Sequence, residues 1–145
     1  MKFSQFFNKR ISSRENPRIV SNAIILDRRS VEDLKMKFPG VHRKHSGEHV
    51  TLDYGTNKYH ENFGENVEVT VDGYAKDDMA EAVHVSIPGV RCDKPNPHIT
   101  ISYDDGVKPV YSNELLAKGY KKIQPFMLHG TVGSFINGKY TTEKP

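Results

Sequence analysis

Two six-residue stretches of this chain repeat one pattern, and that repeat constrains the fold more than any other feature. The first is His49-Val50-Thr51-Leu52-Asp53-Tyr54 and the second is His98-Ile99-Thr100-Ile101-Ser102-Tyr103. Each reads His, aliphatic, Thr, aliphatic, small polar, Tyr. An extended strand turns successive side chains to opposite faces. His49 and Thr51 then share one face, while Val50, Leu52 and Tyr54 turn toward a core. His98 and Thr100 stand against Ile99, Ile101 and Tyr103 in the same way. Each strand therefore carries an imidazole and a hydroxyl roughly 6.5 Å apart on one polar face.

The tripeptide His-x-Thr is a weak signal alone. With 7 His in 145 residues, chance predicts roughly 0.3 such tripeptides. The chain has three, at His49, His98 and His129, and a looser match at His84-Val85-Ser86. His129-Gly130-Thr131 puts Gly where a strand would present an aliphatic residue to the core. His84 lies so close before His98 that the two strands read as sheet neighbours. Only the stretches at His49 and His98 share the downstream polar residue and the Tyr. His84 and His129 read as ordinary strand histidines.

The rest of the chain reads as a mixed α+β domain spanning residues 1–145. A short helix over residues 3–11 presents Phe3, Phe6 and Phe7 on one side. Arg18 to Leu26 reads as a strand. Ser30 caps a short helix, with Asp33 at the capping-box position and Pro39-Gly40 at its end. A basic, His-rich loop from Val41 to Glu48 leads into the first repeat. Asn66 to Val71 and Ala80 to Ile87 alternate as strands, with turn signals at Asp72-Gly73 and Asp77-Asp78. The proline-containing loop Pro88 to Pro97 leads into the second repeat. Ser112 caps a helix over Asn113 to Lys118 that stops at Gly119. Phe126 to Ile136 and Lys139 to Thr142 form a hairpin across Asn137-Gly138.

Composition narrows the classes of function. The net charge of +3 admits an anionic ligand, but no polybasic block calls for long duplex nucleic acid. Cys92 is the single cysteine, so an internal disulfide or a Cys-rich zinc site is excluded, which favours the cytoplasm. No apolar run is long enough to span a membrane, and no secretory signal is seen.

Two imidazoles and two hydroxyls facing each other across a cleft suit phosphoryl chemistry. Imidazole titrates near neutrality, so one ring can take a proton while the other gives one. Thr51 and Thr100 would donate hydrogen bonds to the oxygens of the phosphoryl group. Which His is the base is left open. The scheme needs neither metal nor cofactor. A competing reading gathers His42, His45 and His49 around a metal, but Ser46 stands where the zinc-helix pattern wants Glu. Lys108 in the loop after the second repeat is a candidate phosphate contact, with loop solvation as the alternative. Glu143 is a candidate contact to a nucleobase edge, with a frayed tail as the alternative. Asp53 and Ser102 extend the polar faces and are candidate ligand contacts, with a rim position as the alternative.

The paired stretches resemble the His-h-Thr-h signature of the 2H phosphoesterase superfamily, h being aliphatic. The longer run from Pro97 through Ser102 and from Gly106 to Asn113 is similar to the phage anti-CBASS cyclic-oligonucleotide nucleases and to RNA-repair-like relatives. The resemblance covers about residues 18 to 138. It implies a bilobal fold of two pseudo-symmetric antiparallel sheets flanking a central cleft, with short helices outside. It implies metal-independent phosphodiester cleavage, with His49, Thr51, His98 and Thr100 as catalytic residues. Tyr111, within the run, joins Lys108 and Glu143 as a candidate substrate contact. The expected substrate is a cyclic oligonucleotide, destroyed in the host cytoplasm to evade CBASS immunity. The alternatives are short RNA with a 2′,3′-cyclic phosphate end, or a non-catalytic nucleotide sponge. With no Trp in the chain, base stacking falls to Tyr or Phe.

Overall fold

The computed structural model describes residues 18–144; the helix expected over residues 3–11 lies outside them. Eight strands and two helices follow in the order β1 (Ile19–Leu26), α1 (Arg28–Lys37), β2 (Lys44–His45), β3 (His49–Tyr54), β4 (Asn66–Lys76), β5 (Ala80–Ser86), β6 (His98–Tyr103), α2 (Tyr111–Ala117), β7 (Lys121–Ile136) and β8 (Lys139–Thr141). The α+β class is as expected. Both repeats are strands with the bounds read from sequence.

Hydrogen bonding joins all the strands into one antiparallel sheet, ordered β2-β6-β5-β4-β7-β1-β3, with β8 also on β7. The resemblance implies two sheets flanking a cleft; here β7 joins the strands into one. Its first part pairs with β4 over Lys121–Thr131 and its last part with β1 over Gly130–Ile136. The sheet edges β2 and β3 are separated in the chain by Ser46, Gly47 and Glu48 alone. Four Cα steps reach at most about 14 Å, so the sheet must curl until its edges approach. Two bonds fasten that closure, Ser46 N–H to the Ile101 carbonyl at 2.8 Å and Leu26 N–H to the Glu48 carbonyl at 3.0 Å.

Curling puts the apolar faces of both repeats into one core. Val50, Leu52, Ile99 and Ile101 pack with Ile24, Leu34, Val69, Val83, Val85 and Leu128. Burying each such side chain stabilises the fold by about 1.5–3 kcal/mol. A smaller cluster of Ala75, Ala80, Ala82, Leu115 and Leu116 seats α2 on the sheet.

Several local expectations are corrected. Helix α1 is capped by Asp27, whose carboxylate accepts from Ser30 N–H at 2.8 Å. Ser30 lies inside the first turn, where its hydroxyl accepts from His129 N–H at 2.8 Å. Ser112 likewise lies inside α2 rather than capping it, and bonds Thr100. Asp72-Gly73 is not a turn but a bulge, across which β4 continues to Lys76. Opposite it the β7 pairing skips from Phe126 to Lys122, which accommodates Pro125, a residue with no N–H to donate. The other two turn readings agree with the structure. Asp77 accepts from Met79 and Ala80 N–H, and Asn137 and Gly138 both take positive φ, at 51° and 80°, as a type I′ hairpin requires.

Gly73 is required by packing. A Cβ there would stand 2.5 Å from the Tyr120 ring and 3.0 Å from His84 Cβ. Gly73→Ala is expected to lower stability by about 1–3 kcal/mol, read as a shifted urea midpoint at unchanged m. An unshifted midpoint would mean that Tyr120 moves aside freely.

Candidate active site

Both repeats carry the same irregularity. Along β3, Thr51 pairs with Ala23 and Asp53 with Asn22, so Leu52 is an extra residue. Along β6, Thr100 pairs with Ala82 and Ser102 with Glu81, so Ile101 is extra. These are β-bulges at equivalent positions, and a bulge advances the in–out alternation by one residue. Asp53 and Ser102 are therefore buried rather than on the rim. Each bonds its cross-strand partner: Asn22 Nδ2 donates to Asp53 at 2.8 Å, and Ser102 Oγ donates to Glu81 at 2.7 Å. Tyr54, expected in the core, is 71% exposed for the same reason.

The loop before β6 clasps β3. Arg91 donates to Asp53 at 3.0 Å, to Glu61 at 2.9 and 3.0 Å, and to Asp93 at 2.6 Å. The guanidinium bonds hold the Glu61 carboxyl down at about 2. Asp93 N–H donates to the Leu52 carbonyl at 2.8 Å. A charged fork and a backbone bond thus fix the loop carrying Lys94 and Asn96 beside the first repeat.

The result is one cavity of about 640 Å³ lined by His49 and Thr51 from β3 and by His98 and Thr100 from β6. Lys94, Lys108 and Asn113 line its second-repeat side, and Tyr54, Phe135 and Tyr140 its first-repeat side. The His49 ring lies 5.1 Å from Tyr140, which lies 4.9 Å from Phe135. His98 Nδ1 is 2.8 Å from the Asn96 carbonyl. A carbonyl only accepts, so Nδ1 carries the hydrogen and the neutral ring keeps its lone pair on Nε2. Thr100 Oγ1 sits 2.8 Å from Ser112 Oγ.

Burial lowers the pKa of both imidazoles below the ordinary 6.5. For His49, Glu48 opposes the shift and His98 adds to it. For His98, the Asn96 carbonyl opposes it, while Lys94 and His84 add to it. The pair can exchange a proton with a ligand, each ring held more readily neutral than a free imidazole.

Of the other candidates, Lys108 lines the cavity. Tyr111 is elsewhere: its hydroxyl donates to Asp77 and its ring packs on the small alanine–leucine cluster. Glu143 is exposed and its N–H donates to Thr141 Oγ1 at 3.3 Å, off the cavity. His42, His45 and His49 do not converge. His42 Nε2 is 2.9 Å from the Asp77 carbonyl and its Nδ1 3.4 Å from Asp104, while His45 is exposed. No group of three His, Cys, Asp or Glu able to hold a metal occurs among the described residues. His84 bonds Asp72 at 2.7 Å and stacks on Tyr120, and His129 is exposed. Lys94, Asn113, Phe135 and Tyr140 were not singled out from sequence. The aromatics flank the Asn137-Gly138 turn, a signal for a hairpin but not for what the hairpin faces.

The family model of the fungal tRNA ligase phosphodiesterase domain matches residues 30–129, over half of the chain. The matched span holds both repeats and stops short of Phe135 and Tyr140. The chain belongs to this family, a branch of the 2H phosphoesterase superfamily. It is a phosphodiesterase of the 2H type. No curated protein matches it at a significant level. No helix among the described residues is long and apolar enough to cross a membrane.

Proposed function

We propose that this chain opens 2′,3′-cyclic phosphates at the ends of RNA strands. His49 and His98 form the acid–base pair, Thr51 and Thr100 donate to the phosphoryl oxygens, and Lys108 offsets phosphate charge. The observation that carries the reading is that one cavity receives both imidazoles and both hydroxyls. The family match to an RNA-ligase phosphodiesterase domain supports the choice of substrate.

Water attacks phosphorus while one imidazole takes its proton. The bond to one ribose oxygen breaks, and the other imidazole protonates that oxygen. A phosphomonoester and a free hydroxyl remain, and the imidazoles have exchanged protonation states. His98 suits the base: Asn96 holds its hydrogen on Nδ1 and leaves Nε2 open. His49 is then the acid, the one other imidazole lining the cavity.

The productive free enzyme needs one neutral and one protonated imidazole. With both pKa values below 6.5, that form is most populated between them and is lost above as the acid deprotonates. The kcat/KM profile is therefore expected to be a bell peaking below pH 6.5, with apparent values belonging to the pair. The kcat profile should peak higher, since a bound phosphodiester anion favours imidazolium. A kcat/KM maximum above pH 8 would rule out this pairing.

The resemblance to phage enzymes points instead to cyclic oligonucleotides and immune evasion, where a ribose 2′-hydroxyl would attack its own 3′-phosphate. One panel separates the readings: RNA with a 2′,3′-cyclic phosphate end, a ribo cyclic dinucleotide and its 2′-deoxy analogue, each with and without EDTA, with products weighed by mass spectrometry. Cyclic-phosphate ends are expected to gain one water in excess EDTA. Cleavage of the ribo cyclic dinucleotide with untouched RNA ends would replace this reading by the phage-type one. Inhibition by chelator that a divalent ion reverses would overturn the metal-free scheme.

A further inference from the structure

A row of register partners leads away from His98 along one face of the sheet. His98 pairs with His84, His84 with Gly73, and Gly73 with Lys122. At about 4.8 Å per strand, Lys122 lies roughly 14 Å from His98. The Tyr120 ring lies over this row. It stacks on His84 at 4.4 Å with an interplanar angle of 13°, in the space that the missing Cβ of Gly73 leaves. It is 37% exposed.

Tyr120 is also a wall of a second groove, of about 490 Å³, lined by Lys76, Lys118 and Lys121 at the far end of α2. Its one acidic lining residue is Asp77, whose carboxylate already accepts from Met79 N–H, Ala80 N–H and the Tyr111 hydroxyl. Glu114 and Asp78 are the acids nearby in sequence. Lys118 Nζ donates to the Tyr111 hydroxyl at 3.1 Å, so the lining carries three cations, two of them without such a bond, against one anion whose oxygens are occupied.

We propose that this groove binds the sugar–phosphate backbone of single-stranded RNA upstream of the reacting end, with Tyr120 between it and the cavity. The inference rests on the RNA-end reading above. A cyclic-phosphate terminus is attached to a polyanion that must leave the cavity, and Tyr120, which stacks on His84 beside the second imidazole's strand, is also a wall of the groove that Lys76, Lys118 and Lys121 line. Lysines on such a path neutralise phosphates and release counterions, without reading sequence. The groove then makes the enzyme favour polymer ends over mononucleotides.

The test uses the whole chain and a 5′-fluorescein RNA decamer ending in a 3′-phosphate, which binds without being consumed. Anisotropy titrations over a salt series are compared for wild type and the triple variant Lys76→Ala/Lys118→Ala/Lys121→Ala. Turnover of a mononucleotide 2′,3′-cyclic phosphate is measured alongside. The variant is expected to bind the decamer at least about tenfold more weakly, with a log–log salt slope reduced by about 2, and to keep mononucleotide kcat/KM within about twofold. Unchanged affinity and slope would overturn the groove, as would an equal loss on the mononucleotide. Lys121→Glu, a single exposed change, repeats the measurement if the triple variant folds poorly. A wild type that hydrolyses neither the mononucleotide nor a decamer ending in a 2′,3′-cyclic phosphate would condemn the activity reading, and the binding titration would still decide on the groove.

Discussion

Replacing His49 or His98 by Ala will cut turnover of a 2′,3′-cyclic phosphate at least about a hundredfold, with the fold intact. Each imidazole is held on a strand whose core-facing neighbours, Val50 and Ile99, are fully buried, so losing the ring leaves the packing beneath it in place. Circular dichroism and urea midpoints near wild type will separate lost chemistry from lost structure. The two variants should also differ from each other. A substrate with a good leaving group, such as a p-nitrophenyl phosphodiester, needs no proton on the departing oxygen but still needs an activated nucleophile. The assigned roles therefore predict that His49→Ala recovers much of its activity on that substrate and that His98→Ala does not. The reverse pattern would exchange base and acid. A variant keeping half the wild-type rate on the cyclic phosphate would remove that histidine from the mechanism.

Thr51→Val and Thr100→Val will each slow turnover by roughly tenfold to a thousandfold, the range for a lost donor to a charge that develops in the transition state. The effect should fall on kcat more than on KM, because the donated hydrogen bond strengthens as phosphorus becomes five-coordinate. At Thr100 the geometry supplies a further check. Its hydroxyl lies 2.8 Å from Ser112 Oγ. Thr100 Oγ1 also lies 3.5 Å from the Pro109 carbonyl; if Ser112 donates, the Thr100 hydrogen can leave that long bond for the phosphoryl oxygen. Thr100→Ser keeps that arrangement and should keep most of the rate. Thr100→Val leaves Ser112 without its bond and should also lose about 1 kcal/mol of stability. Silence of both valine variants would make the hydroxyls structural and end the cleft model.

Much of this centre is legible in the chain because its parts are short and repeated. His49, Thr51, His98 and Thr100 are recognisable from a six-residue pattern that needs only period-two alternation to place an imidazole and a hydroxyl on one face. Lys108 is close enough in sequence to the second repeat to be noticed. Lys94, Phe135 and Tyr140 escaped because nothing local marks them. Phe135 faces the cavity through the pairing of Ser21 with both Phe135 and Tyr54, a relation among three distant segments. Tyr111, within the run that carries the resemblance, turns instead toward Asp77, because α2 begins at that residue and places its ring on the alanine-lined patch of the sheet.

By itself the sequence determined the strands that bear the reacting groups, the aliphatic faces beneath them, the turn at Asn137-Gly138, and the chemistry that paired imidazoles and hydroxyls allow. These are properties of neighbouring residues, governed by backbone geometry and side-chain type. Tertiary structure decided the rest. It put the extra residues at Leu52 and Ile101 into matching bulges, burying Asp53 against Asn22 and Ser102 against Glu81. It curled one sheet until both repeats shared a core, and it clasped the loop at Arg91 onto Asp53. A bulge exists only against a partner strand, and an ion pair across 38 positions only after the chain has closed. Neither is encoded in the period of a single segment, since each depends on the burial gained when distant segments meet.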